Sequence, residues 1–123
     1  MKQYITIDGD DIGRKISSCY IQNDPEKLKF ISNSLQQYVE GITQALKEGN
    51  FTIIFAAADG IAAFTEESIT MESIEKKIKD SINSEFTFSI GLGNSLQECY
   101  IALIEAKSTG KNKIVKYQDI PKN

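Results

Sequence analysis

Three aspartates crowd the end of an apolar run in ITIDGDDIG, residues 5–13: Asp8, Asp10 and Asp11. A fourth, Asp59, sits inside FAAADGIAAF, residues 55–64. Carboxylates with a nearby backbone carbonyl are the oxygen donors that hard divalent cations take. Asp and Gly are also ordinary turn residues, bonding their own backbone or supplying unusual dihedrals. The chain has no histidine, which excludes Ser-His and Cys-His nucleophilic sites, imidazole zinc sites and histidine bases. Any chemistry must therefore run on carboxylates, lysines, hydroxyls and backbone. Cys19 and Cys99, the two cysteines, lie far apart without metal-ligand spacing. They read as small buried apolar residues of a reducing cytoplasm rather than a disulfide framework.

The elements that must position these groups follow from periodicity. Tyr4 to Ile7 is rich in β-branched and aromatic residues and stops at Asp8, a first strand. Ile12, Ile16, Cys19 and Tyr20 then fall at helical spacing, predicting a short helix over the strand end. Asp24-Pro25 supplies an N-cap and a first-turn proline. The stripe Leu28, Ile31, Leu35, Tyr38, Val39, Ile42 and Leu46 continues as a long amphipathic helix, which Gly49-Asn50 closes. Phe51 to Ala58 and Ile61 to Phe64 are two strands around Asp59-Gly60, which predicts a type I′ hairpin with positive φ at both central residues. Ile74, Ile78 and Ile82 mark a surface helix with one buried stripe. Phe86 to Ile90 is a fourth strand. SIGLGNS, a fragment of a dinucleotide fingerprint, reads as a tight strand-to-helix turn. Ser95 and Glu98 have capping-box form, each side chain satisfying the other's backbone amide. The helix they start runs from Leu96 to Ser108 and ends near Gly110, and Lys113 to Tyr117 is the last strand.

This order contains the βαββαβ ferredoxin-like arrangement, an α+β fold, with an added C-terminal helix and strand. In it the first and third strands lie antiparallel at the sheet centre. Asp8, at the end of the first, would thus face Asp59, at the start of the third, across a spacing of about 4.7–4.9 Å. Two carboxylates so close stay ionised mainly with a cation between them. The Gly9 carbonyl could add a third oxygen, and the missing side chain there leaves room for a phosphate.

ITIDGDDIG, FAAADGIAAF, FSIGLG and EAKSTGKNKIVKY resemble, in that order and over nearly the whole chain, the palm-domain nucleotide cyclases of the GGDEF superfamily. The sequence is most similar there to the minimal CRISPR polymerase group, with EAKSTGKNK the most specific stretch. By position, the resemblance implies that Asp8 and Asp59 are catalytic metal-binding carboxylates and that Gly9 contributes its carbonyl. Asp10 or Asp11 is a candidate additional ligand. Lys107 and Lys111 would hold the triphosphate, with Gly110 and Asn112 forming the turn between them. Gly9, Asp11 and Ala58 would border the nucleotide. The implied cofactor is Mg2+ or Mn2+ in a two-metal site. The implied activity joins ATP molecules into a cyclic oligonucleotide, cyclic di-AMP above all, as a signal in phage defence read by a separate effector. Because one small palm offers one triphosphate site, cyclisation implies a homodimer. Ala57-Ala58-Asp59-Gly60-Ile61 departs from Gly-Gly-Asp/Glu-Glu-Phe, retaining only the metal-binding third position. That departure motivates an alternative, a palm that senses a nucleotide or cyclic dinucleotide without turnover. Without the resemblance, a lysine pair near a helix end could simply complement the macrodipole.

DGDDI after a strand also resembles the nucleophile motif of haloacid dehalogenase-like phosphatases, although Ile12 stands where a hydroxyl or valine belongs and no later paired-aspartate motif follows. An EF-hand loop fails because Ile12 and Cys19 fall at ligand positions. With 123 residues and net charge −3, the expectation is one domain over residues 1–118 with a polar tail at 119–123. A mildly acidic chain has no electrostatic grip on long nucleic acid. Without a signal sequence or an apolar run of about 20 residues, the expected location is cytoplasmic, with no membrane insertion.

Overall fold

The computed structural model describes residues 2–68, 71–81 and 86–122. Five strands form one sheet: β1 (Gln3–Gly9), β2 (Thr52–Ala57), β3 (Gly60–Thr65), β4 (Phe88–Gly93) and β5 (Ile114–Lys116), in the order β2-β3-β1-β4-β5. β1 is antiparallel to both β3 and β4, and β5 adds in parallel outside β4. The helices are α1 (Ile12–Ile21), α2 (Pro25–Glu48), α3 (Met71–Ser81) and α4 (Leu96–Ser108). This is the α+β palm arrangement with a βαββαβ core and an added helix and strand. Its largely antiparallel sheet is not the doubly wound one a dehalogenase-like phosphatase needs, so that reading ends here. Among the described residues no helix is long and apolar enough to cross a membrane.

The sheet has two unlike faces. Ile5 and Ile7 of β1, Ile61 and Ala63 of β3 and Phe88 and Ile90 of β4 point into the main core, where the apolar stripes of α1, α2 and α3 meet them. Tyr38 packs edge-on against Phe86 and Phe88, with ring centroids 5.2 and 5.9 Å away. α2 starts as its sequence predicts, with Asp24 accepting the Lys27 N–H at 3.0 Å. Ile74 and Ile78 are buried, while Ile82 lies outside the described residues. Tyr20, expected to join the α1 stripe, is 71% exposed, because the buried arc of that helix is carried by Ile12 and Cys19.

Among the described residues, the helix on the opposite face is α4, which lies across β4, β1 and β5. Here alternation along β4 puts Ser89, Gly91 and Gly93 toward the helix. A Cβ at Gly91 would land on the Cys99 carbonyl and Leu103 amide, and one at Gly93 on Glu98 and the Cys99 amide. The two glycines thus let helix and strand backbones touch. This corrects the reading of SIGLGNS as a turn, since both glycines lie inside β4 and the turn is residues 94–95. Cys99 is fully buried in that contact, and burial pushes its thiol up to about 11, so it is packing rather than a reactive group. α4 runs from Leu96 to Ser108 as predicted, with Ser95 accepting the Glu98 N–H at 3.1 Å. Glu98 completes the cap one residue early, accepting the Asn94 N–H at 2.9 Å instead of that of Ser95.

Candidate active site

The β2–β3 turn differs from the predicted one in a way that sets the site. Ala57 pairs with Gly60, so the two loop residues are Ala58 and Asp59, not Asp59 and Gly60. Ala58 alone of these takes positive φ, at 52°, which is not a type I′ turn. The shift follows from the sheet: Gly60 is held opposite Asp8, and the Gly9 N–H donates to the Asp59 carbonyl at 3.2 Å. Asp59 therefore stands on the loop directly over the end of β1.

Asp8, Gly9 and Asp59 meet there. A Cβ on Gly9 would come within 2.6 Å of Ile12 Cγ1 and 3.1 Å of Asp59 Oδ2, so only glycine fits between the loop and α1. Asp8 points to the α4 side. Burial pushes its carboxyl above the usual range, the charge of Asp59 adds to that, and Lys107 opposes both. Lys107 arrives from the last turn of α4. Its ammonium donates to the Gly9 carbonyl at 2.7 Å and Asp10 Oδ1 at 3.0 Å, and lies 3.3 Å from Asp8 Oδ2. Burial alone would lower its pKa, but the hydrogen bond to Asp10 and the charges of Asp8 and Asp10 raise it above the ordinary value.

Asp10 and Asp11, the candidate additional ligands, go elsewhere. Asp10 is 3% exposed and accepts from Thr87 Oγ1 at 2.6 Å, Ser89 Oγ at 2.7 Å, the Asn112 N–H at 2.9 Å and Lys107. With its oxygens filled, it ties β1, β4 and the end of α4 together rather than facing Asp59. Asp11, in the left-handed region at φ 58°, occupies the N-cap position of α1 without capping it. Its Oδ1 accepts from Lys111 Nζ at 2.6 Å. Among the described residues no three His, Cys, Asp or Glu side chains are placed to hold one metal ion. Asp10, expected with Asp11 as a possible further ligand, is thus held by buried hydroxyls and a backbone amide, while Asp11 pairs with Lys111.

The remaining donor set consists of oxygens only, two carboxylates and a carbonyl, the chemistry a hard divalent cation prefers. The Lys107 ammonium acts as a stand-in ion: it shows that Gly9 O and Asp8 Oδ2 converge on one positive charge. The residues present therefore fit such a cation. Lys111 begins the return from α4, where Gly110, Lys111 and Asn112 all take positive φ, 119°, 61° and 49°. That bend aims the Asn112 amide at Asp10 and brings Lys111 over Asp11.

Two cavities open beside this cluster. One, of about 650 Å³, lies between α1, α2 and the end of β2, with Ala57 and Ala58 at its rim, apolar walls that include Leu28 and Val39, and Gln36 and Glu40 as polar groups. The other, of about 400 Å³, is a groove between α4 and the β2–β3 hairpin, lined by Asp8, Phe55, Tyr100, Ile104 and Lys107 among others. Sequence reasoning missed Thr87 and Ser89, though their period-2 spacing before a strand pattern puts both hydroxyls on one face. It also missed Gln36 and Glu40, one helical turn apart beside the α2 stripe.

The minimal CRISPR polymerase (mCpol) domain matches residues 4–117. No curated protein matches the chain. Among solved structures, the GGDEF domain of DgcB from Caulobacter crescentus, in complex with c-di-GMP, superposes with a TM-score of 0.68 at 11% identity, over 96% of this chain and 78% of that one. The Csm1–Csm4 cassette in complex with one ATP gives 0.69 at 16% identity, over 92% of this chain but 20% of that one. The GGDEF domain of PA1120 from Pseudomonas aeruginosa gives 0.65 at 14%, over 94% and 81%. These similarities concern the fold, whereas the domain match spans all five strands, the aspartates and both lysines, and on it the chain belongs to the minimal CRISPR polymerase domain family.

Proposed function

We propose that this protein is a metal-dependent nucleotidyltransferase that joins ATP molecules into a cyclic oligonucleotide, cyclic di-AMP in the first instance, with release of pyrophosphate. The observation that carries the reading is that Asp8 and the Gly9 carbonyl converge on Lys107, with Asp59 against Gly9 and near enough for its charge to raise the Asp8 carboxyl, between a cavity of about 650 Å³ and an apolar groove. Asp8, Gly9 O and Asp59 would hold Mg2+ or Mn2+, which supplies a Lewis acid for the attacking hydroxyl and the departing phosphates. Lys107 and Lys111 neutralise charge on the β- and γ-phosphates, work that needs placement rather than acid-base groups. Gly9 borders the triphosphate through its backbone. Ala58 and Asp11 border it, and the base enters the cavity beside Gln36. The ribose hydroxyl of one ATP bonds to the α-phosphorus of another, its proton passing to water, while the bond from that phosphorus to the β-phosphate bridge breaks. The product fits a signal to a separate effector in phage defence.

Cyclisation needs a second triphosphate facing the first, and we assign it to a second copy of the chain. Phe55, Tyr100 and Ile104 support this: 55%, 59% and 48% exposed, they flank the groove that contains Asp8. A second reading, a sensor without turnover, draws on the ion pairing of Lys107 with Asp8 and on Gly60, where diguanylate cyclases carry an acidic residue. Incubating the purified protein with ATP and Mg2+ or Mn2+ decides between them. Pyrophosphate with a cyclic product supports the cyclase, while saturable binding without turnover supports the sensor.

A further inference from the structure

Lys107 spends its charge on the oxygens assigned to the cation. Its ammonium has three donors and three acceptors around it: Gly9 O, Asp10 Oδ1 and Asp8 Oδ2, at 2.7, 3.0 and 3.3 Å. Two of these, Gly9 O and Asp8, belong to the donor set of the metal. An ammonium and a divalent cation sharing those ligands would repel one another at close range. Asp10 has three other donors, Thr87, Ser89 and the Asn112 amide, so the departure of Lys107 would not strand a buried carboxylate.

We propose that Lys107 is the built-in counter-ion of the cation site, and that a divalent cation gains Gly9 O and Asp8 only as a triphosphate draws the Lys107 ammonium onto its own oxygens. Metal and triphosphate are then coupled ligands, each raising the affinity for the other by the same factor. Free metal alone binds weakly, which keeps the carboxylates neutralised until substrate arrives. The inference rests on the proposed assignment of Asp8, Gly9 and Asp59 as cation ligands.

The test is Mn2+ binding to the nucleotide-free protein, followed by the electron paramagnetic resonance of unbound Mn2+. Lys107→Met should bind Mn2+ about ten-fold more tightly than the wild type, a shift of about 1.4 kcal/mol, whereas Lys107→Arg, which keeps the charge, should stay weak. A folded Lys107→Met protein that binds Mn2+ no better than the wild type overturns the proposal. A second measurement needs no variant: the side-chain ¹⁵N resonance of Lys107 should hold its position with Mg2+ alone and move when a non-hydrolysable ATP analogue joins it. Movement with Mg2+ alone as large as with the analogue also overturns the proposal. Neither readout needs turnover, so a protein that makes no cyclic product can still show the coupling. If Asp8→Asn in the Lys107→Met background leaves Mn2+ affinity unchanged, the ligand assignment itself is what fails.

Discussion

Asp8, near the end of β1, and Asp10, just beyond it, are under opposite ionisation pressures. Burial would raise the Asp10 carboxyl, but hydrogen bonds from Thr87, Ser89, Lys107 and the Asn112 amide outweigh it and hold the group below its ordinary 3.8. Its folded pKa being lowered, its contribution to stability is present above the usual Asp range and is lost as pH falls through the native value. Asp10→Ala should cost about 3–5 kcal/mol of unfolding free energy near neutrality, as expected when one member of a buried charge network is removed. In urea titrations that gap should narrow below about pH 4, near the unfolded carboxyl value; a pH-independent gap would contradict the assignment. Asp8 is raised, by burial first and by Asp59 second. Its folded form therefore favours the proton, and ionisation at neutral pH works against folding. Asp8→Asn should accordingly raise the melting temperature while removing nucleotidyl transfer, the opposite of Asp10→Ala; a lower melting temperature would show that the ion pair with Lys107 dominates. The Asp8–Asp59 meeting was legible in sequence because strand order alone produces it. The role of Asp10 was not, since its partners lie 77 to 102 residues away and one is a backbone amide.

At the scale of elements, α4 matters most, because its last turn sets the height of Lys107 above β1. Its limits could be read from Ser95 and Gly110, but its depth on the sheet could not. Close approach depends on Gly91 and Gly93 sharing one face of β4, and turn chemistry was the more familiar meaning of those glycines. Gly91→Ala would put a methyl group on the Cys99 carbonyl and Leu103 amide, forcing α4 outward. The expected loss is about 1–3 kcal/mol of stability, the usual cost of overpacking, with a larger proportional loss of activity as Lys107 moves away. Equal stability in denaturant melts would mean that α4 rides on the sheet less tightly than described. The hairpin taught the converse lesson. Asp59-Gly60 has the local chemistry of a type I′ turn, yet pairing with β1 pulls Gly60 into β3 and leaves the positive φ to Ala58. On α2, the amide of Gln36 donates to Glu40 Oε1 at 3.3 Å. That bond leaves the Gln36 amide, which lines the cavity, one further N–H donor and its carbonyl acceptor, the pairing that an adenine edge matches. Gln36→Glu, presenting acceptors only, should shift the GTP-to-ATP activity ratio upward by about ten-fold, within the 1–3 kcal/mol that a bidentate base contact supplies. An unchanged ratio in competition assays would remove Gln36 from base selection.

For the whole molecule, the sheet order β2-β3-β1-β4-β5 gathers residues from near both ends of the chain at one edge of the palm, with Asp8 and Asp59 from its centre and Lys107 and Lys111 from its last helix and the turn beyond. Under the proposed function that gathering serves one nucleotide. The groove between α4 and the hairpin leaves Phe55 of β2 and Tyr100 and Ile104 of α4 exposed next to Asp8. Apolar exposure at the rim of a polar site is where a partner is expected. A C2 pair brought together there would set each site's hydroxyl toward the other's α-phosphate, completing the ring without any further chain. Activity per chain should then fall as the protein is diluted through its dimer dissociation constant, and Ile104→Glu should lower that activity at fixed concentration while leaving the melting of the monomer within about 0.5 kcal/mol, the usual range for surface changes. Both are read by product formation alongside analytical ultracentrifugation of the same samples. Constant specific activity well below the dissociation constant would mean that one palm closes the ring alone, and the apolar groove would then need a different occupant.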